Sequence, residues 1–207
     1  MNPTSESPIV LLQESETLRI PPSSRPALLC DRDGTVIENR DNYVLRPEHI
    51  RFLPGAIDAL QEACALGHVI ALITNQSPIG RGLLSVEQAL GLHRVVTDRL
   101  TAAGVAVSGT YLCPHTPHDG CRCRKPAPDL LNRAVSDLRL TLADTWYVGD
   151  ALSDVGAARA AGVRPVLTRT GRGAAQERTP VASEILDGVD IVDDLTALVK
   201  LLRRSHL

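Results

Sequence analysis

The sequence predicts an α/β fold, a doubly wound parallel sheet, on the strength of three observations. Short, mostly apolar runs at 27–30, 69–73, 109–112, 145–148 and 164–167 are too brief for helices and lack the polar alternation of half-exposed strands. Stretches with apolar residues at helical spacing separate most of them. Three of the runs stop on acids, hydroxyls or amides, and the carboxyl edge of an open parallel sheet is where such folds place their ligands.

Taken in order, residues 1–26 are rich in Ser, Thr, Glu and Pro with one apolar patch at Ile9–Leu12, and are expected to be mostly a flexible arm ahead of a single domain, 27–207. The run 27–30 delivers Asp31 and Asp33 around a turn marked by Gly34. Residues 34–53 lack a sustained period and are expected to be a loop or small hairpin over those acids. Pro54-Gly55 opens a helix carrying Ile57, Leu60, Ala63 and Cys64, which Gly67 stops. The run 69–73 ends on Thr74-Asn75-Gln76-Ser77, polar groups suited to a phosphate oxygen. Ser85 and Gln88 form a capping box for a helix with Leu92, Val96 and Leu100, in which His93 reads as structural. Further helices are expected at 129–140 and 155–161, then a mobile loop at 170–184 and a closing helix near 195–202.

Composition narrows the function. With 43% hydrophobic and 22% charged residues, the 207-residue chain has the make-up of a globular domain. Its five aromatic side chains argue against a substrate held by stacking. A net charge of -2 gives no basis for nucleic acid as principal partner, and no apolar run is long enough to span a bilayer. Five cysteines, an odd number, fit a reduced cytoplasmic compartment better than a disulfide framework.

Two acids at i and i+2 after a buried strand can hold a divalent cation or divide nucleophile and acid/base roles. Taken alone, Asp-x-Asp-Gly is also ordinary turn chemistry. A second acidic pair, Asp150 and Asp154, follows the run 145–148. Between the two pairs, Cys113, His115, Cys121 and Cys123 lie within eleven residues of a Pro- and Gly-rich loop, 113–123. That spacing of soft and borderline ligands points to tetrahedral zinc with a closed, hence structural, coordination sphere. Arg124 and Lys125 follow at once, so a pinned loop aims two cations at the same sheet edge. The alternative, a zinc-loop interaction module without catalysis, does not require strand-end acids and a lysine together.

In order, Asp31-Arg32-Asp33-Gly34-Thr35, Thr74-Asn75, Lys125 and Gly149-Asp150 with Asp154 resemble the motifs of the haloacid dehalogenase-like phosphatase superfamily, over residues 27 to about 170. The spacing leaves no room for a large cap domain. The resemblance implies that Asp31 is the nucleophile and Asp33 the general acid and base. It also implies that Asp31, the Asp33 carbonyl and Asp150 hold Mg2+, and that Thr74, Asn75 and Lys125 bind the phosphoryl oxygens. Asp154 would orient Lys125 or a metal-bound water, its alternative being an acid favoured by a helix N-terminus. Gln76, Ser77, Arg81 and Arg124 are the expected contacts to the rest of a small phosphorylated metabolite. By the same resemblance that substrate is a heptose 1,7-bisphosphate losing its 7-phosphate, with histidinol phosphate as the alternative; the protein is expected to be a monomer.

Overall fold

The computed structural model describes residues 7–12 and 26–205. One sheet contains seven strands: β1 (Ile9–Leu12), β2 (Ala27–Cys30), β3 (Val69–Asn75), β4 (Val107–Cys113), β5 (Thr145–Gly149), β6 (Arg164–Thr168) and β7 (Asp190–Val192). Their order is β1-β4-β3-β2-β5-β6-β7. The five strands expected from the sequence pair in parallel, with β2 in the centre between β3 and β5. Cys30 is in register with Leu72 on β3 and Val148 on β5. The residues after these positions, Asp31, Thr74 and Asp150 among them, therefore emerge along one carboxyl edge.

The helices are α1 (Ala56–Ala65), α2 (Ser77–Gly80), α3 (Val86–Ala102), α4 (Asp129–Asp137), α5 (Leu152–Ala161), α6 (Gly173–Gln176), α7 (Ala182–Ile185) and α8 (Leu195–Ser205). Strand alternation sends Leu28 and Cys30 into a core shared with α1, α3 and α8, and Leu29 into a second core shared with α4 and α5. Both faces of the sheet are thus covered, which is why the strands read as apolar runs. Ser85 caps α3 as its pattern predicts: its Oγ accepts from Gln88 N at 3.0 Å and Gln88 Oε1 accepts from Ser85 N at 2.8 Å. Buried His93 pairs through Nε2 with Thr110 Oγ1 at 2.9 Å, a packing role. Among the described residues no second domain interrupts the sheet.

Two expectations are corrected. The apolar patch at 9–12 is not part of a free arm but an edge strand antiparallel to β4, since four consecutive apolar or half-buried residues can complete the β4 ladder; residues 1–6 and 13–25 of the expected arm lie outside the described residues. The 170–184 segment is not a loose loop. It folds into α6 and α7, Arg169 ties it to Glu177 and Asp193, and Thr170 Oγ1 donates to Gly34 O at 2.7 Å. Its small residues permit close packing, where composition alone reads as flexibility.

Candidate active site

Asp31 follows β2, and its backbone N donates to Val148 O at 2.8 Å, extending the β2–β5 pairing up to the acid. Asp150 follows β5, and Asp154 sits in the first turn of α5. One oxygen from each of the three lies within 4.8 Å of the others, and none of the three residues is more than 6% exposed. Lys125 reaches this cluster from the loop after β4. Its Nζ donates to Asp31 Oδ1 at 2.6 Å, lies 2.6 Å from Asp154 Oδ1, and also meets Tyr147 Oη at 2.8 Å and Ile73 O at 3.1 Å.

Three buried carboxylates face one buried ammonium and the exposed Arg172 guanidinium, 3.6 Å from Asp150 Oδ2, which leaves negative charge uncompensated. Asp31 is pushed up to about 8, first by burial, with Lys125 opposing and the Asp154, Asp150 and Asp33 carboxylates adding. Asp150 is pushed up to about 6 by burial and by Asp154. Burial works against the charge of Lys125, yet Asp154 and Asp31 outweigh it and hold its pKa above the usual lysine value. Asp150 Oδ2 accepts from Arg172 N at 2.8 Å, while its buried Oδ1 has no partner among the described residues. An unsatisfied carboxylate oxygen facing two further carboxylates fits a hard, oxygen-seeking dication. Gly34 and Gly171, both left-handed, close over Asp150: a Cβ on either would lie 2.1 or 2.2 Å from Asp150 Oδ2.

Asp33 is placed beside the same cleft. Arg32 grips it through Nε at 3.0 Å and Nη2 at 3.1 Å, Gln76 Nε2 donates to it at 2.9 Å and Thr74 Oγ1 at 3.4 Å. Asn75 Nδ2 donates to Lys125 O and Asn75 Oδ1 accepts from Lys125 N, both at 3.2 Å, so its side chain locks the lysine backbone. Arg124 Nη1 donates to Ser77 Oγ at 2.8 Å and His115 O at 3.1 Å, joining the Cys/His loop to α2. Asp154 pairs with Lys125, and its Oδ2 accepts from Ala151 N at 3.1 Å at the start of α5. The four carboxylates, Lys125, Arg124 and the polar residues 74–77 line one cleft of about 540 Å3, with Arg40, Arg81 and Arg172 at its walls. Tyr147, Arg32 and Arg172 are the residues that sequence reasoning missed. For Tyr147 the signal was present: a phenol in a strand buried on both faces needs a partner for its hydroxyl.

Cys113, His115, Cys121 and Cys123 converge into a second cluster. Sulfur–sulfur separations of 3.7 Å and nitrogen–sulfur separations of 3.3 and 3.6 Å compare with edges of about 3.8 and 3.6 Å for a tetrahedron with zinc-length bonds. His115 turns Nδ1 inward. Cys113 is pulled down to about 5, chiefly by the hydrogen bond from the Cys123 thiol, whose own pKa is correspondingly raised. The cluster can hold a metal, and Lys125 follows its last member by two residues.

A family model described as HAD-hydrolase-like matches residues 122–198. A curated relative from Pseudomonas aeruginosa, D-glycero-beta-D-manno-heptose-1,7-bisphosphate 7-phosphatase, is 34% identical over 86% of this chain and 98% of its own. The chain belongs to the haloacid dehalogenase-like phosphatases. Another member of the family with the same name, from Yersinia pestis, is 39% identical over 80% of this chain and 92% of its own. Among solved structures, the D,D-heptose 1,7-bisphosphate phosphatase of B. bronchiseptica, complexed with magnesium and phosphate, superposes with a TM-score of 0.78 at 32% identity. It covers 86% of this chain and 99% of its own. The Burkholderia thailandensis enzyme of that name gives 0.66 at 26% identity over 86% and 98%. Among the described residues, no helix is long and apolar enough to cross a membrane.

Proposed function

We propose that this phosphatase removes the 7-phosphate of D-glycero-D-manno-heptose 1,7-bisphosphate, using Mg2+ at the carboxylate cluster and zinc in the loop 113–123. The observation that carries the substrate is the cleft itself. Buried Asp31 and Lys125 share it with Arg40, Arg81, Arg124 and Arg172, cations enough for a second phosphate besides the one being cleaved. The names of the relatives point the same way. Histidinol phosphate has one phosphate and leaves those arginines unused.

In this reading Asp31 attacks phosphorus, the bond from phosphorus to the sugar oxygen breaks, and Asp33 gives that oxygen a proton. Asp33 then takes a proton from the water that hydrolyses the aspartyl-phosphate. Lys125 and Thr74 hold phosphoryl oxygens, and Asp154 keeps Lys125 in place. Asp31, Asp150 and the Asp33 carbonyl would hold Mg2+, which neutralises charge between nucleophile and phosphate. Gln76 positions Asp33 and Thr74, to both of which it donates. Ser77 orients Arg124, whose remaining guanidinium hydrogens, with Arg81, serve the distal phosphate. Residues 27–207 form the phosphatase domain of a cytoplasmic monomer, a location consistent with five free cysteines.

The test is phosphate release from heptose 1,7-bisphosphate, heptose 1-phosphate and histidinol phosphate, each with Mg2+ and with EDTA. The expected result is a kcat/KM for the bisphosphate at least tenfold above the other two, heptose 1-phosphate as product, and no activity in EDTA. Histidinol phosphate turned over equally well would overturn the assignment.

A further inference from the structure

We propose that Tyr147 is a positioning residue for Lys125. Its hydroxyl fixes the ammonium while one lysine hydrogen passes from Asp31 to the transferred phosphoryl group. The inference rests on the phosphatase reading above and adds a residue that lies outside the acid, lysine and threonine motifs.

An ammonium has three hydrogens. Four acceptors surround Lys125 Nζ: Asp31 Oδ1 and Asp154 Oδ1 at 2.6 Å, Tyr147 Oη at 2.8 Å and Ile73 O at 3.1 Å. The two carboxylates make the short, charge-assisted contacts, which leaves one hydrogen between two neutral oxygens. Tyr147 resolves that competition because its hydroxyl is also a donor, 2.9 Å from Asp154 Oδ1 and 3.4 Å from Ile73 O. It accepts from the ammonium and donates to the carboxylate that the ammonium faces, closing a three-membered ring of hydrogen bonds. The ring is rigidly mounted. Tyr147 is buried in the middle of β5, in register with Leu29 of β2, and its side chain packs in the core beneath α4 and α5.

The chemistry makes use of the surplus acceptor. When an Asp31 oxygen bonds to phosphorus and the sugar oxygen departs with the proton from Asp33, Asp31 changes from a carboxylate to an acyl phosphate, a poorer acceptor. The phosphoryl oxygens become the better partners. Lys125 must redirect one hydrogen without leaving the cluster, and the contacts to Asp154 and Tyr147 hold it for that exchange. Tyr147 keeps its own proton throughout; burial and the Asp154 carboxylate raise its pKa well above the usual phenol value. A phenylalanine would fill the same core volume and lose only this restraint.

The experiment is Tyr147→Phe, assayed with heptose 1,7-bisphosphate and with p-nitrophenyl phosphate, alone and in an Asp154→Ala background. Loss of a hydrogen bond to a charged group predicts a fall in kcat of about tenfold to a hundredfold on both substrates, with KM within about twofold. In the Asp154→Ala background, where the ring is already broken, the same substitution should change kcat by less than about threefold. A single variant with undiminished kcat, a loss confined to KM, or equal losses in both backgrounds would each overturn the proposal. Tyr147→Met, which also removes the hydroxyl, supplies the same measurements if the Phe variant does not fold. A parent protein that releases phosphate from neither substrate would refute the phosphatase reading instead, whereas an active parent with an unaffected Tyr147→Phe variant refutes this inference alone.

Discussion

Lys125→Met tests whether the acid cluster depends on a single buried cation. The lysine lies 2.6 Å from two carboxylates, and all three side chains are at most 8% exposed. Removing one partner of a buried ion pair costs about 3–5 kcal/mol, because the other charge is left without compensation. Here two carboxylates lose their partner at once, so the upper part of that range applies to the metal-free protein. For a chain of this size it corresponds to a fall in Tm of roughly 10–15 °C. The pH dependence has a definite sign. Asp31 is raised to about 8 in the folded protein against about 4 unfolded, so its contribution to stability is full below about pH 4 and is lost as pH rises through 8. Lys125 opposes that rise, and without it the folded protein tolerates ionised Asp31 still less. The deficit of the variant should therefore be largest near pH 8.5 and shrink towards pH 5, and added Mg2+ should recover part of it. Urea unfolding followed by circular dichroism at both pH values, with and without Mg2+, measures this. A deficit below about 1 kcal/mol at pH 8.5, or one that grows on acidification, would refute the reasoning.

Cys121→Ser should lower zinc from about one per chain to well below that by elemental analysis, and reduce kcat, because the loop it closes carries Lys125; an active, zinc-free parent would contradict this. Gly171→Ala would place a methyl 2.2 Å from Asp150 Oδ2 and 2.6 Å from Gly34 Cα, so calorimetry should show Mg2+ affinity reduced at least tenfold. An unchanged affinity would show that this glycine does not shape the metal site. Arg139, exposed at φ 53, ends α4 with Arg139 N–H bonding Ser136 O and Leu140 N–H bonding Val135 O, an arrangement that favours glycine. Arg139→Gly should raise stability by about 0.5–1 kcal/mol in urea unfolding, with activity unchanged.

What was legible in the sequence follows from how each residue is placed. Asp31, Asp150 and Thr74 stand at the ends of apolar strands, and a parallel sheet aligns strand ends whatever its other details. Lys125 was legible through its distance from the Cys/His loop. Tyr147 was legible only as a buried phenol in need of a partner; which partner it finds is decided when β5, β3 and the 125 loop meet. Strand β1 depends on β4, about a hundred residues away, and no local pattern shows such a pairing. Strand β7 is only three residues long. The 170–176 segment misled for a physical reason: glycine and alanine mark flexibility where nothing touches them and close approach where something does, here Asp150.

The same charges set an order of binding. Asp33 is matched by Arg32, but Asp31, Asp150 and Asp154 share one buried ammonium and the exposed Arg172 guanidinium beside Asp150, two cations for three acids, so the metal-free pocket must either carry negative charge or take up protons. In the first state it repels a phosphate dianion; in the second Asp31 is protonated and cannot attack. A dication removes both obstacles by holding the carboxylates ionised while cancelling their field. The prediction is that metal precedes substrate and that its binding releases protons most strongly between about pH 6 and 8, the range to which burial raises Asp150 and Asp31. Calorimetric titration with Mg2+ in two buffers of different ionisation enthalpy counts those protons. Titration with inorganic phosphate, before and after Mg2+, should show binding only after. Phosphate bound equally well without the metal would mean that the arginines of the cleft, rather than the balance at the carboxylate cluster, govern its entry.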